Sequence, residues 1–168
     1  LLANLEVIDG KTERGGWGGC TALMQASFQG HTAIVQFLLN HGALADIQDN
    51  SEGHTALMYA SRQGRTAVVQ LLLDHGALVD LQDNDGWTAL MGASPAGHTA
   101  IVQLLLDHGE GVNIQNSVGY TALMHASSEG HTAIVQLLLD HGALVDIHDN
   151  DGWTALMYAS RGGHTAIV

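Results

Sequence analysis

The sequence predicts an all-α repeat solenoid, built from short helix-turn-helix units stacked side by side. Three observations carry that prediction. The tetrapeptide T-A-L-M recurs at Thr21, Thr55, Thr88, Thr121 and Thr154, in steps of 34, 33, 33 and 33 residues, and self-similarity at such a period indicates stacked units rather than one globular core. Within each copy a glycine separates two short apolar segments with helical spacing. Between copies the chain changes to turn chemistry, as in Asp149-Asn150-Asp151-Gly152, where Asn, Asp and Gly favour tight reversal.

The stretch from Thr121 to Trp153, TALMHASSEGHTAIVQLLLDHGALVDIHDNDGW, represents the unit. Thr121 is placed to N-cap a first helix, to which Leu123 and Ala126 contribute apolar contacts. Gly130 breaks that helix. A second follows, in which Ile134, Val135, Leu137, Leu138 and Leu139 supply a wide apolar stripe, and Gly142 suits a left-handed stop. Helices this short are marginal alone, since isolated helices below roughly 12 to 15 residues are unstable in water. They must stack on neighbours to fold.

The order T-x-L, G-H-T-A-I-V, L-L-L-D-H-G-A and a closing D-x-D-G resembles the ankyrin repeat, in phase across four complete copies and two partial ones. That resemblance implies a β-hairpin-like finger for each inter-copy segment. It also implies a concave groove, lined by finger tips and first helices, that holds another protein. The finger from Asp49 to Thr55 is one residue longer than its sisters, so its tip is expected to be displaced, and Asn116-Ser117-Val118-Gly119-Tyr120 has lost the acidic residues. Where family repeats carry T-P-L-H, this chain has Ala for Pro and Met24, Met58, Met91, Met124 and Met157 for His. Methionine cannot donate, so packing of a flexible thioether is expected to replace a hydrogen bond. Arg65 replaces the His of one G-H pair, Glu110 and Gly111 interrupt the G-A-L-V turn, and Pro95 sits near the end of a first helix.

The repeat phase divides the chain into 1–14 (the end of a preceding repeat and the start of a glycine-rich loop), repeats at 15–48, 49–82, 83–115 and 116–148, and a truncated repeat at 149–168. Leu1 to Asp9 aligns with Leu105 to Asn113, and the apolar Leu1, Leu2, Ile167 and Val168 occupy ends where polar caps are usual. An array continuing in both directions is expected. The connection GKTERGGWGGC carries four inserted residues and the glycines Gly10, Gly15, Gly16, Gly18 and Gly19, a composition that favours a mobile loop.

Composition narrows the function classes. The formal charge is −12, with only Lys11, Arg14, Arg62, Arg65 and Arg161 as permanent cations, which argues against a phosphate-backbone partner. No apolar run is long enough to cross a membrane. Cys20 is the only cysteine, so no internal disulfide forms and a cytoplasmic or other reducing compartment is the expectation. Gly10-Lys11-Thr12 lacks the glycine five residues upstream, where Leu5 stands, and no helix pattern follows it, so the phosphate-loop reading fails. The periodic histidines, His31, His98, His131 and His164 in one column and His41, His75, His108 and His141 in another, raise the question of metal. Neighbouring helices lie about 8 to 10 Å apart, whereas two ligands about 2.0 to 2.1 Å from one zinc must lie within roughly 4 Å of each other. These side chains are expected to fasten loops by hydrogen bonds. The D-N-D-G turns lack the closing glutamate of a calcium loop, since the twelfth residue is Ser94 counted from Asp83 and Ser160 from Asp149. No catalytic constellation, cofactor or metal site is expected.

What remains is a protein-binding surface, expected at the positions that differ between copies. At the finger tips these are His54, Trp87, Tyr120 and Trp153; on the first helices they are Gln25, Tyr59, Gly92, His125 and Tyr158, followed by Phe28, Gln29, Arg62, Gln63, Ser128 and Glu129. Trp153 and Tyr158 have the spacing of a hydrophobic staple, whereas Trp87 faces only Gly92, which favours a partner-contact role for Trp87 and for Tyr59. The reading is a non-catalytic protein-protein interaction module, part of a larger scaffold or adaptor, with a basic or amphipathic protein or peptide as partner. The alternatives are a structural spacer or spring in a larger membrane-linked or cytoskeletal protein, and an engineered consensus scaffold, suggested by the identical DNDGWTALM at Asp83 and Asp149. Protonation of all eleven histidines would take the formal charge from −12 to −1, so affinity for a basic partner is expected to weaken from roughly pH 7 to 5.5, around the ordinary His pKa of about 6.5.

Overall fold

The computed structural model describes residues 8–12 and 18–168. Leu1 and Leu2, which the repeat phase puts in an earlier second helix, Leu5, and Arg14, Gly15 and Gly16 of the glycine-rich connection lie outside the described residues. Nine helices are formed among the described residues: α1 (Ala22–Gln29), α2 (Thr32–Asn40), α3 (Ala56–Arg62), α4 (Thr66–Asp74), α5 (Ala89–Ala93), α6 (Thr99–Asp107), α7 (Ala122–Ser128), α8 (Thr132–Asp140) and α9 (Ala155–Gly162). First helices stack on first helices and second on second, so each copy packs on its neighbours. The result is an all-α repeat solenoid.

Every first helix starts at the repeat threonine. Thr21, Thr55, Thr88 and Thr121 are extended, and each accepts a 3.3 Å hydrogen bond at its hydroxyl from the backbone N–H three residues on, at Met24, Met58, Met91 and Met124. The methionine reciprocates in two copies: Thr21 N–H donates to Met24 Sδ at 3.3 Å and Thr55 N–H to Met58 Sδ at 3.4 Å. A thioether therefore fills the place that Glu or Gln takes in a capping box. Packing alone was expected of these methionines; the sulfur also accepts. Helix α5 is the shortest because Pro95 has no N–H to continue it, and its packing on α7 is the sparsest among the first helices.

The second helices end on their histidines. The Nδ1–H of His41, His75, His108 and His141 donates at 2.7 to 2.8 Å to the carbonyl four residues back, supplying a donor to the end of a helix that leaves its last carbonyls unpaired. A second column joins copies: His98 Nε2 reaches the Arg62 carbonyl at 3.3 Å, His131 that of Pro95 at 3.0 Å and His164 that of Ser128 at 2.9 Å. Arg65 does the same work, its Nε donating to the Phe28 carbonyl at 3.1 Å.

The core is one continuous cluster between the helix layers. Val68, Val69, Leu72 and Leu73 of α4 and Ile101, Val102, Leu105 and Leu106 of α6 are buried, each worth roughly 2 kcal/mol of burial. Cover comes from the adjacent copy: Leu57, Leu90 and Leu123 are at most 2% exposed, whereas Leu156, at the same position in the outermost copy, is 51% exposed. Isolated units could not bury this face.

No strand is assigned among the described residues; the fingers are turns. Each is closed end to end by a backbone bond, from Asp49 to His54, Asp83 to Trp87, Asn116 to Tyr120 and Asp149 to Trp153, at 2.9 to 3.0 Å, and the last three add a bond from the finger glycine, Gly86, Gly119 or Gly152, back to the first carbonyl. The first residue of each finger also takes backbone N–H groups on its Oδ1, as Asp83 does from Asp85 and Trp87. The longer finger absorbs its extra residue within the turn, since Asp49 Oδ1 accepts from Ser51, Glu52 and Gly53. It still bonds the next finger, through Asn84 N–H to the Glu52 carbonyl at 2.9 Å. A glutamine seam reinforces this: Gln48, Gln82 and Gln115 each donate through Nε2 to a carbonyl of their own finger and to one in the next copy. Sequence reading did not find that seam.

Candidate functional site

The candidate face is made by the fingers and the first helices, and its geometry follows from one pairing rule. A finger-tip residue stands five positions before a first-helix residue. Where both are aromatic they meet: His54 with Tyr59 at 5.1 Å between ring centroids, Tyr120 with His125 at 5.0 Å, Trp153 with Tyr158 at 5.3 Å. Rings also reach across copies, Trp87 lying 4.5 Å from His125 and Tyr120 5.2 Å from Tyr158. Arg161 stands 5.5 Å over the Trp153 ring. Trp87, His125, Tyr120, Tyr158 and Trp153 thus form an unbroken row.

Below the rings lie buried carboxylates. The Tyr59 hydroxyl donates to Asp49 Oδ2 at 2.7 Å, and the Tyr158 hydroxyl donates to Asp149 Oδ2. Burial alone would raise the Asp49 carboxyl, but the hydrogen bonds from Tyr59, Glu52 and Ser51 outweigh it and hold the group at about 2. Both tyrosines are pushed up, by burial first and then by the carboxylate they serve. In the third copy Gly92 leaves no hydroxyl for Asp83. His54 takes the position, with Nε2 3.1 Å from Asp83 Oδ2 and Nδ1 3.3 Å from Glu52 Oε2.

Two adjoining clefts open here. One, of about 250 Å³, is lined by Glu52, His54, Met58, Arg62, Asp83, Asp85, Trp87, Thr88, Gly92 and Pro95. The other, of about 380 Å³, shares Glu52, His54, Met58 and Arg62 and adds Phe28, Ser51, Tyr59 and Gln63. The structure brings together Phe28, His54, Tyr59, Arg62, Gln63, Trp87 and Gly92 of the expected binding residues. Gln25 is half-buried on α1 and Gln29 exposed at its end; Glu129 is exposed beyond α7, and Ser128 is half-buried with its carbonyl committed to His164.

Three expectations change. Tyr158 is 8% exposed and belongs to the core, with its hydroxyl spent on Asp149, so it supports the face from below. Trp87 has an intramolecular partner after all, His125, while still lining the cleft. His125 itself is lowered by burial to about 4, which removes it from the set of histidines that charge between pH 7 and 5.5. Ser51, Glu52, Met58, Asp83, Asp85, Thr88 and Pro95 were missed as lining residues. The one sequence signal for the cleft was Gly92, a missing side chain where other copies have one.

The remaining groups are structural. Burial pushes the Cys20 thiol up, away from the thiolate a nucleophile needs. Glu110 is buried and pushed up to about 8, chiefly by desolvation; its Oε1 accepts from the Leu90 N–H at 3.0 Å, at the start of α5. Among the described residues, no three His, Cys, Asp or Glu side chains converge as metal ligands, and no helix is long and apolar enough to cross a membrane.

A search of curated proteins finds no match to the chain. A family model described as ankyrin repeats, three copies, matches in overlapping placements at residues 1–83, 23–116, 64–146 and 90–168. With the threonine-capped first helices, the stacked second helices and the period all in that frame, the chain belongs to the ankyrin repeat family.

Proposed function

We propose that this chain is a non-catalytic protein-interaction module within a larger scaffold or adaptor protein. It would hold its partner against the fingers and first helices. Ankyrin repeats are generally protein-protein interaction modules. The observation that carries the reading for this chain is the pair of adjoining clefts, where Phe28, His54, Tyr59, Arg62, Trp87 and Gly92, at positions that differ between copies, stand beside the repeated Met58 and Thr88. Glu52, Asp83 and Asp85 make the rim acidic, which favours a basic partner through complementarity and faster encounter.

The test is capture from a lysate by three forms of the chain. The variant with Glu52, Gln63 and Asp85 replaced by Ala is expected to lose a partner that wild type retains. A control with Gln136 and Asp140 replaced by Ala, on α8 away from the clefts, is expected to keep it. Equal capture by all three forms would remove this face as the binding surface.

A further inference from the structure

We propose that the cleft beside Gly92 receives one arginine side chain from a basic segment of the partner, an inference that rests on reading this face as an interaction surface. Space comes first. The four sister positions carry Gln25, Tyr59, His125 and Tyr158, and Gly92 alone has no side chain. The resulting hollow of about 250 Å³ falls below the roughly 300 to 1,000 Å³ of small-molecule pockets. It suits one long side chain, and no helix or strand would enter it.

The walls select the chemistry of that side chain. Trp87, Met58 and Pro95 give an apolar lining for a methylene stem, and an indole favours a planar, weakly hydrated guanidinium over a compact ammonium. Three carboxylates, from Glu52, Asp83 and Asp85, line the cleft against the single permanent cation of Arg62. Glu52 and Asp83 are bridged by His54, while Asp85 is exposed at the rim. The balance favours an incoming cation. Arg62 is the internal competitor, since a Cβ on Gly92 would lie 3.6 Å from the Arg62 Cβ, and it fixes the sign of the test.

The whole chain, labelled for NMR, is titrated with the capped peptide Gly-Ser-Arg-Ser-Gly and with the same peptide carrying Glu or Lys in place of Arg. The arginine peptide is expected to give saturable shifts at the Gly92 amide and the Trp87 indole N–H, the lysine peptide weaker ones, and the glutamate peptide none. Gly92→Tyr, which refills the hollow as in two sister copies, should abolish the shifts. Gly92→Ala, safer for folding, should reduce them. Asp85→Asn should weaken binding about threefold and Arg62→Ala should strengthen it by a similar factor, within the range expected of rim charges. Binding lost in Arg62→Ala, equal binding of the lysine or glutamate peptide, or no saturable shift would overturn the assignment. Capture separates this from the broader reading. A partner lost from the Glu52, Gln63 and Asp85 variant but kept by Gly92→Tyr sinks the arginine cleft alone, whereas a partner indifferent to every cleft variant sinks the interaction face.

Discussion

The Tyr59 hydroxyl donates a 2.7 Å hydrogen bond to Oδ2 of Asp49, joining the middle of a first helix to the base of the finger that precedes it. The carboxylate is 5% exposed and receives three backbone N–H groups on its other oxygen. A buried charge so served is stabilising only while every donor is present. Tyr59→Phe should therefore cost about 1.5 to 3 kcal/mol, the range for a hydrogen bond to a charged group, measured by urea unfolding near neutral pH. Because the folded-state pKa is depressed from 3.8 to about 2, the contribution is present above 3.8 and is lost as pH falls through 2. Wild type and variant should converge over that acid range, and a constant difference would contradict the linkage.

Glu110 gives the opposite sign. Its carboxyl is pushed up from 4.5 to about 8, so the folded chain is favoured below pH 4.5 and loses stability as pH rises toward 8. Sister copies have Ala43, Ala77 and Ala143 here. Glu110→Gln, which keeps the acceptor for the Leu90 N–H and cannot ionise, should be about as stable as wild type at pH 4.5. At pH 9 it should be more stable by up to about 5 kcal/mol, the size that a shift from 4.5 to about 8 implies. Thermal melts across that range that show parallel curves would refute the assignment.

The ring of His125 lies between Trp87 and Tyr120, and burial lowers it from 6.5 to about 4. The neutral form is the folded form. Stability should be complete above pH 6.5 and decline as pH falls from there toward 4, and the His125→Phe variant should lack that decline. In an NMR titration the His125 Cε1 proton should stay at its neutral position at pH 5.5. A midpoint above pH 6 would show that the ring is not shut away.

Two glycines should respond in opposite ways to alanine. Gly119 has a φ of +84°, and a Cβ there would meet the Asp149 Cα at 2.8 Å. Gly119→Ala should cost at least about 2 kcal/mol, from left-handed strain together with the clash. Gly92 lies inside α5, without positive φ and with its nearest Cβ contact at 3.6 Å. Gly92→Ala should be neutral or stabilising by up to about 1 kcal/mol, since alanine is the better helix former. Denaturant midpoints of the two variants test the pair together.

Much of the fold was legible because packing repeats with the chain: the same threonine, leucines and glycines meet the same neighbours every 33 or 34 residues. Local spacing also revealed the pairing of Trp153 with Tyr158. Contacts that the common repeat spacing does not carry were not legible. Trp87 was read beside Gly92, five residues on, but with no ring there it settles on His125, 38 residues away. Tyr158 looked like a surface residue because nothing local announces that Asp149 waits beneath it as an acceptor. Glu110 read as a disturbance of a turn, and only the folded repeat shows that it bonds the start of α5, 20 residues earlier.

The seam of Gln48, Gln82 and Gln115 runs alongside the apolar core and crosses every junction from the second copy to the fifth. A junction under tension must break two unlike sets of bonds together, one greasy and tolerant of sliding, the other short-ranged and brittle. Brittle links in series make detachment abrupt, so the unit that comes free is one whole copy. Each release would lengthen the chain by up to about 110 Å, at 3.3 to 3.6 Å per extended residue, and stretched from its ends the molecule would unravel as a ratchet of even steps.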